Sequence, residues 1–187
     1  FCTYNLNVSA NTTVSIPTAI TLNQALSINT VATTGTNGLS ITGGITSGSG
    51  DSKTLTFNNA GSVAVTGQGI SDGTGGQISL LKANGDLLTL GAANTYTGMT
   101  QIDGGGQLFL TPSAIGGSGN SVFVNVNGIA AAGPAFTNLT STFFNRIDPG
   151  SQGVLALTTN TSENFHFDEL GFGQAILGAG TNVTYTG

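Results

Sequence analysis

Apolar residues in this chain come as short alternating pairs, not as long runs or helical stripes. Between residues 13 and 31 the pairs are Val14/Ile16, Ile20/Leu22 and Leu26/Ile28, a local period of six, with Ala19 and Ala25 just before the second and third. Successive side chains of a strand point to opposite faces, so each pair turns both apolar groups inward and the intervening Ser or Thr outward. Corners at Pro17-Thr18, Asn23-Gln24 and Asn29-Thr30 then predict three strands around one turn of a triangular coil. A left-handed hexapeptide helix has a similar period, but the spacing holds for one coil only. The expectation is one coil of a right-handed parallel β-helix.

From residue 35 to 80 the pattern continues through Leu39-Ser40-Ile41, Leu55-Thr56-Phe57, Val63-Ala64-Val65 and Ile78-Ser79-Leu80. Gly/Ser/Asn/Asp clusters at 43 to 52, 58 to 62 and 66 to 77 read as the connections. With two or three strands per coil, each coil takes roughly 20 residues or more, cannot bury its own apolar face, and is stable only when stacked on neighbours. Antiparallel sandwiches also carry short strands at close spacing. The lack of two-residue hairpin turns between long strands favours the solenoid.

Residues 81 to 110, LKANGDLLTLGAANTYTGMTQIDGGGQLFL, read as three short strands and their turns. Leu87 to Leu90 is strand-like, Gly91-Ala92-Ala93-Asn94 turns, and Thr95 to Ile102 is extended. Asp103-Gly104-Gly105-Gly106 turns again before Gln107 to Leu110. This block resembles the autotransporter-associated β-strand repeat, also called the passenger-associated transport repeat, of exported bacterial surface proteins. The matching residues are Leu81, Lys82, Leu88, Leu90, Gly91, Asn94, Thr95, Tyr96, Gly98, Thr100, Ile102, Leu108 and Leu110. Asp86 stands where the repeat prefers a second Gly, and Met99 where Gly is common. The resemblance implies a β-solenoid in an exported, surface-bound or extracellular protein.

After Val122 to Val126 the period changes. Phe136, Leu139, Phe143, Phe144 and Ile147 fall at i, i+3, i+7, i+8 and i+11, which is helical spacing. Gly133-Pro134 opens the segment and Asp148-Pro149-Gly150 closes it, so one short flanking α-helix is expected over about 134–147. Proteins carrying the repeat often have a similar Phe-rich stretch ending in Arg-Ile-Asp/Asn-Pro, here Arg146 to Pro149. Residues 153 to 158, 165 to 170, 175 to 177 and 183 to 185 return to strand. The chain reads as a single solenoid domain over 1–187, and Phe1 and the final Thr184 to Gly187 read as the ends of a processed or partial piece of a longer exported chain.

Composition sharpens this picture. Only 6% of the 187 residues are charged, against an average of about 25%, and Ser, Thr and Asn take their place. Such residues can ladder between coils where like charges would repel. The mean hydropathy of +0.20 and the β-branched triplets argue against disorder. Net charge is −5, with Lys53, Lys82 and Arg146 the only fixed cations. No basic patch is present for phosphates, so no nucleic-acid partner is expected. No 18-residue apolar run is present, so no membrane insertion by this segment is expected. Cys2 is the only cysteine; it is either a buried inert thiol or an intermolecular contact.

Candidate chemistry is sparse. Glu163, His166, Asp168 and Glu169 form the densest ionisable group, but one His and one carboxylate two apart supply too few ligands for a metal, and a solvated strand face explains them. A polysaccharide hydrolase needs clustered carboxylates and a uronate lyase needs cations. Asp51, Asp72, Asp86 and Asp103 are scattered, each beside Gly or Ser in a turn-like context. Asp72-Gly73 and Gly85-Asp86 lack the spacing of calcium-binding nonapeptides. Thr54/Thr56, Thr95/Thr97 and Thr184/Thr186 do not sit one coil apart, as an ice-binding array requires. Asn-x-Ser/Thr triplets start at Asn7, Asn11, Asn138, Asn160 and Asn182; glycosylation there depends on the organism.

These observations lead to a non-enzymatic structural protein with no catalytic residues, no metal and no cofactor. It is read as the subunit of an extracellular filament or cell-surface layer whose partners are copies of itself. The alternative is an adhesin or autotransporter passenger segment acting as a stalk toward a matrix or host surface, with the segment at Phe143 and Phe144 as its one candidate patch. A polysaccharide-active β-helix enzyme is the third reading.

Overall fold

The computed structural model describes residues 4–8, 13–30, 38–157, 164–165, 174–177 and 184–185, with side chains described over 13–30 and 38–157. Its strands fall into successive coils. The first is β1 (Tyr4–Val8), β2 (Val14–Ile16) and β3 (Ile20–Leu22); the second is β4 (Leu26–Thr30), β5 (Gly38–Ile41) and β6 (Ile45–Ser47). The third is β7 (Lys53–Asn59), β8 (Ser62–Val65) and β9 (Ile70–Ser71). Then come β10 (Ile78–Gly85), β11 (Leu88–Leu90), β12 (Thr100–Phe109), β13 (Val122–Ala132), β14 (Val154–Leu157), β15 (Asn164–Phe165), β16 (Gln174–Leu177) and β17 (Thr184–Tyr185).

Strands pair in parallel, coil on coil. β1, β4, β7, β10 and the first half of β12 stack in parallel as one face. β2, β5, β8, β11 and the second half of β12 stack as another. β3, β6 and β9 form the third. Rank partners Val14, Leu39, Val63, Leu88 and Gln107 lie 25, 24, 25 and 19 residues apart in turn. The molecule is therefore a parallel β-solenoid, as the paired apolar pattern predicts.

The period-two alternation decides what lies inside. On the second face Leu39, Val63 and Leu88 stack, and beside them Ile41, Val65, Leu90 and Phe109, all at most 1% exposed. Outward ranks are Ser40, Ala64 and Thr89. Each coil thus covers the apolar face of the one before it, and no coil has a core of its own.

Several sequence expectations change. The clusters at 43 to 52 and 66 to 77 are not loops throughout; they contain β6 and β9, the third side of their coils. These strands escape notice because each carries one inward apolar residue, Ile45 or Ile70, among Gly and Ser. Asn29 and Thr30 lie within β4 and form no corner. The run 95 to 102 is strand only from Thr100. Residues 103 to 106 do not interrupt the chain: β12 continues through them and bends from the first face to the second. That bend uses Gly105 at φ +70, a backbone conformation that costs Gly little.

The helix is shorter than the Phe spacing implied. α1 covers Leu139–Thr142, and a 3-10 turn covers Phe144–Arg146. Pro134 lies in a turn before it, and Asn138 caps it by accepting from Ser141 N at 2.9 Å. The Phe spacing is satisfied by packing: Phe136, Leu139 and Phe143 are fully buried and Phe144 nearly so. Phe143 stands edge-on to Phe136 at 5.5 Å and to Phe109 at 6.3 Å. These rings belong to the solenoid core and are no exposed patch. Residues 158 and 166 to 170, expected as strand, lie outside the described residues, as does Val183.

Candidate functional site

Three of the aspartates are engaged in local hydrogen bonds. Asp72 accepts from Ile78 N at 2.7 Å through one oxygen and from Thr97 N and Oγ1 at 2.9 and 2.6 Å through the other. Asp148 accepts from Gly150 N, and Asp103, which lies in strand β12 and not in a turn, accepts from Gln101 Nε2 at 2.7 Å. Among the described residues no three of His, Cys, Asp and Glu come together as metal ligands. A shallow groove of about 450 Å³ crosses the third face past Gly44, Thr46, Gln68, Gly69, Ser71 and Thr95. No charged side chain lines it, so it offers no acid or base. Cys2, Glu163, His166, Asp168 and Glu169 lie outside the described residues, as do the side chains at Asn7, Asn11, Asn160 and Asn182. Asn138 uses its side-chain oxygen in the helix cap.

The most specific arrangement is a buried polar column where β9 has no strand stacked above it. Asn94, Tyr96, Thr100 and Asn120 are at most 4% exposed. Asn94 Oδ1 accepts from Ile70 N at 2.7 Å, in the coil before, and Asn94 Nδ2 donates to Ala114 O, in the coil after. Tyr96 Oη meets Thr100 Oγ1 at 2.7 Å and donates to Ile115 O at 3.0 Å. Asn120 Nδ2 donates to Gly98 O, and Arg146 donates to the Asn120 and Gly117 carbonyls. Burial pushes the Tyr96 phenol well above its ordinary pKa and lowers that of the Arg146 guanidinium. Side chains replace the missing strand ladder and satisfy the backbone groups of the coils on both sides. The Asn-Thr-Tyr and Gly-Met-Thr residues of the repeat-like block therefore act as coil connectors.

On the first face an amide ladder runs outside. Asn29, Asn58 and Asn84 share a rank, with Asn58 Nδ2 donating to Asn29 at 3.2 Å and Asn84 Nδ2 to Asn58 at 3.3 Å. Lys82 and Gln107 are among the inward polar residues that break the apolar ranks. Lys82 is fully buried between Phe57 and Ile102 and donates through Nζ to the carbonyls of Asn84 and Gly104. Burial pulls its pKa down to about 8, opposed by the Asp86 carboxylate. Gln107 is fully buried, and its amide nitrogen and oxygen find no partner among the described residues.

The first coil differs from those after it. Val14, Ile16 and Ile20 occupy inward positions yet are only half-buried, while their rank partners Leu39, Ile41 and Ile45 are at most 1% exposed. Among the described residues, strands β1, β2 and β3 each pair on one side only. At the other end β16 and β17 likewise have one partner each.

No protein-family description, curated protein or solved structure matches this chain.

Proposed function

We propose that the chain is a non-enzymatic structural protein, a subunit of an extracellular filament or cell-surface layer assembled by end-to-end stacking of solenoids. The observation that carries this reading is the half-covered set of inward residues Val14, Ile16 and Ile20, on a coil whose strand edges are open among the described residues. The opposite end of a second copy supplies what covers it: parallel strands that continue the same ranks. β16 already lies in register with β14, Ala175 on Leu155 and Leu177 on Leu157, so an added β2 continues the same stacking. Open strand edges recruit further strands, and a head-to-tail contact between unlike ends builds open fibres. A surface with few charges offers little repulsion to such contacts. The resemblance of residues 81 to 110 to repeats of exported proteins supports an extracellular location.

Negative-stain electron microscopy across a concentration series tests the reading, with and without reductant. Regular fibres or sheets are expected, and their loss on reduction would assign Cys2 to a cross-link. Dispersed rods at every concentration would refute self-assembly and leave the stalk of an adhesin as the working function.

A further inference from the structure

Asn84 and Gly85 sit at the corner where β10 ends, and both are exposed. Gly85 has φ +83, and the pairing of β10 with β7 shifts register between Lys82 and Asn84. The backbone here is bulged and open to water. An Asn followed by Gly is the least hindered pair for attack of a backbone nitrogen on the preceding side-chain amide, since Gly carries no Cβ. The distinguishing feature lies beneath it. Lys82 Nζ donates to the carbonyl oxygen of Asn84, and to that of Gly104 at 3.4 Å. The Asn84 carbonyl belongs to the same peptide unit as the Gly85 nitrogen. A cation held on that oxygen stabilises the negative charge that spreads over the unit when the Gly85 N–H is deprotonated.

We propose that Asn84-Gly85 is a self-modification site, with Lys82 as the positioned cation that promotes ring closure. The Gly85 nitrogen gives its proton to hydroxide and attacks Asn84 Cγ. A nitrogen–carbon bond forms, the Cγ–Nδ2 bond breaks, and Nδ2 leaves as ammonia after taking a proton from water. Water then opens the cyclic imide at either carbonyl, leaving aspartate or isoaspartate at position 84. Nothing is oxidised or reduced, and water is the only reactant besides the chain. The Asn84 to Asn58 rung of the amide ladder is lost, and a new carboxylate stands two residues from Asp86. Isoaspartate also adds a methylene to the main chain at a position paired with Asn58. Modification therefore loosens the boundary between β7 and β10.

The chain contains its own control. Asn127-Gly128 is the same dipeptide, with Asn127 exposed and the pair in register with Gly104 and Gly105. The other two cations are engaged elsewhere, Lys53 on the Asp51 carbonyl and Arg146 on Gly117 and Asn120.

The experiment incubates the purified chain at neutral pH, native and in urea, and resolves Asn, Asp and isoaspartyl peptides by mass spectrometry over time. In the native protein Asn84 is expected to convert about tenfold faster than Asn127, the size of one charge-assisted hydrogen bond. In urea the two rates converge. Lys82→Met is expected to remove the native difference without changing Asn127. Should that variant unfold, both sites accelerate together to the urea rate, and the wild-type ratio alone decides. Asn84 converting no faster than Asn127 in the native chain overturns the proposal, as does a folded Lys82→Met variant that keeps the ratio.

Discussion

Asn94 accepts the Ile70 amide at 2.7 Å with its side chain, standing in for a strand that the third face lacks above β9. Because its Nδ2 also reaches Ala114, one buried amide joins three coils. Asn94→Ala strands a buried N–H and a buried C=O, each worth roughly 1–3 kcal/mol when left unpaired. The expected loss is about 2–4 kcal/mol in urea unfolding. Asn58→Ala, in the exposed ladder, should cost under about 1 kcal/mol. Equal losses from the two would refute the connector role of Asn94.

Gln107 is the opposite case, a buried amide whose atoms are unpaired among the described residues. Methionine keeps the volume and removes the desolvated polar atoms, so Gln107→Met should stabilise by about 1–3 kcal/mol. A lower urea midpoint in this variant would show that the amide has partners that stabilise it.

Lys82 ties stability to alkaline pH. Its folded pKa of about 8 lies below the ordinary value of 10.5, so between these values the unfolded chain binds the extra proton. Stability should rise as pH rises from about 8 towards 10, above which the raised pKa of the buried Tyr96 phenol opposes the gain. Thermal melts from pH 7 to 11 should show this slope in the native chain and lose it in Lys82→Met.

Self-assembly should depend on the first coil's inward side chains. Ile16→Lys with Ile20→Lys places charges on the open end and should abolish fibres in the microscope. Gln68→Lys, exposed on a later coil, should leave them intact. Fibres surviving the double change would place the contact elsewhere.

What the sequence discloses follows from where partners lie. Val14/Ile16, Leu39/Ile41 and Leu88/Leu90 each form an alternating pair within three residues, and all three became strands. β9 has a single inward apolar residue, Ile70, and is defined by pairing with β6, so no local pattern reveals it. The roles of Asn94 and Tyr96 are set by Ile70, Ala114 and Ile115, residues 19 to 24 positions away. A tyrosine between Thr95 and Thr97, two residues after Asn94, was the one available signal. The Phe136 to Ile147 spacing indicated a short helix over about 134–147, longer than the one formed, because aromatic residues facing a core at irregular intervals can mimic helical period.

The parallel pairing of coil on coil has a mechanical consequence. Backbone hydrogen bonds in this arrangement lie along the rod, so tension applied to its two ends is borne by one boundary between coils at a time. Each rupture pays out the 19 to 29 residues between rank partners, about 60 to 100 Å of extended chain. Such a rod lengthens in steps of nearly fixed stroke under load, with the boundaries pinned by Asn94 and Asn120 yielding last.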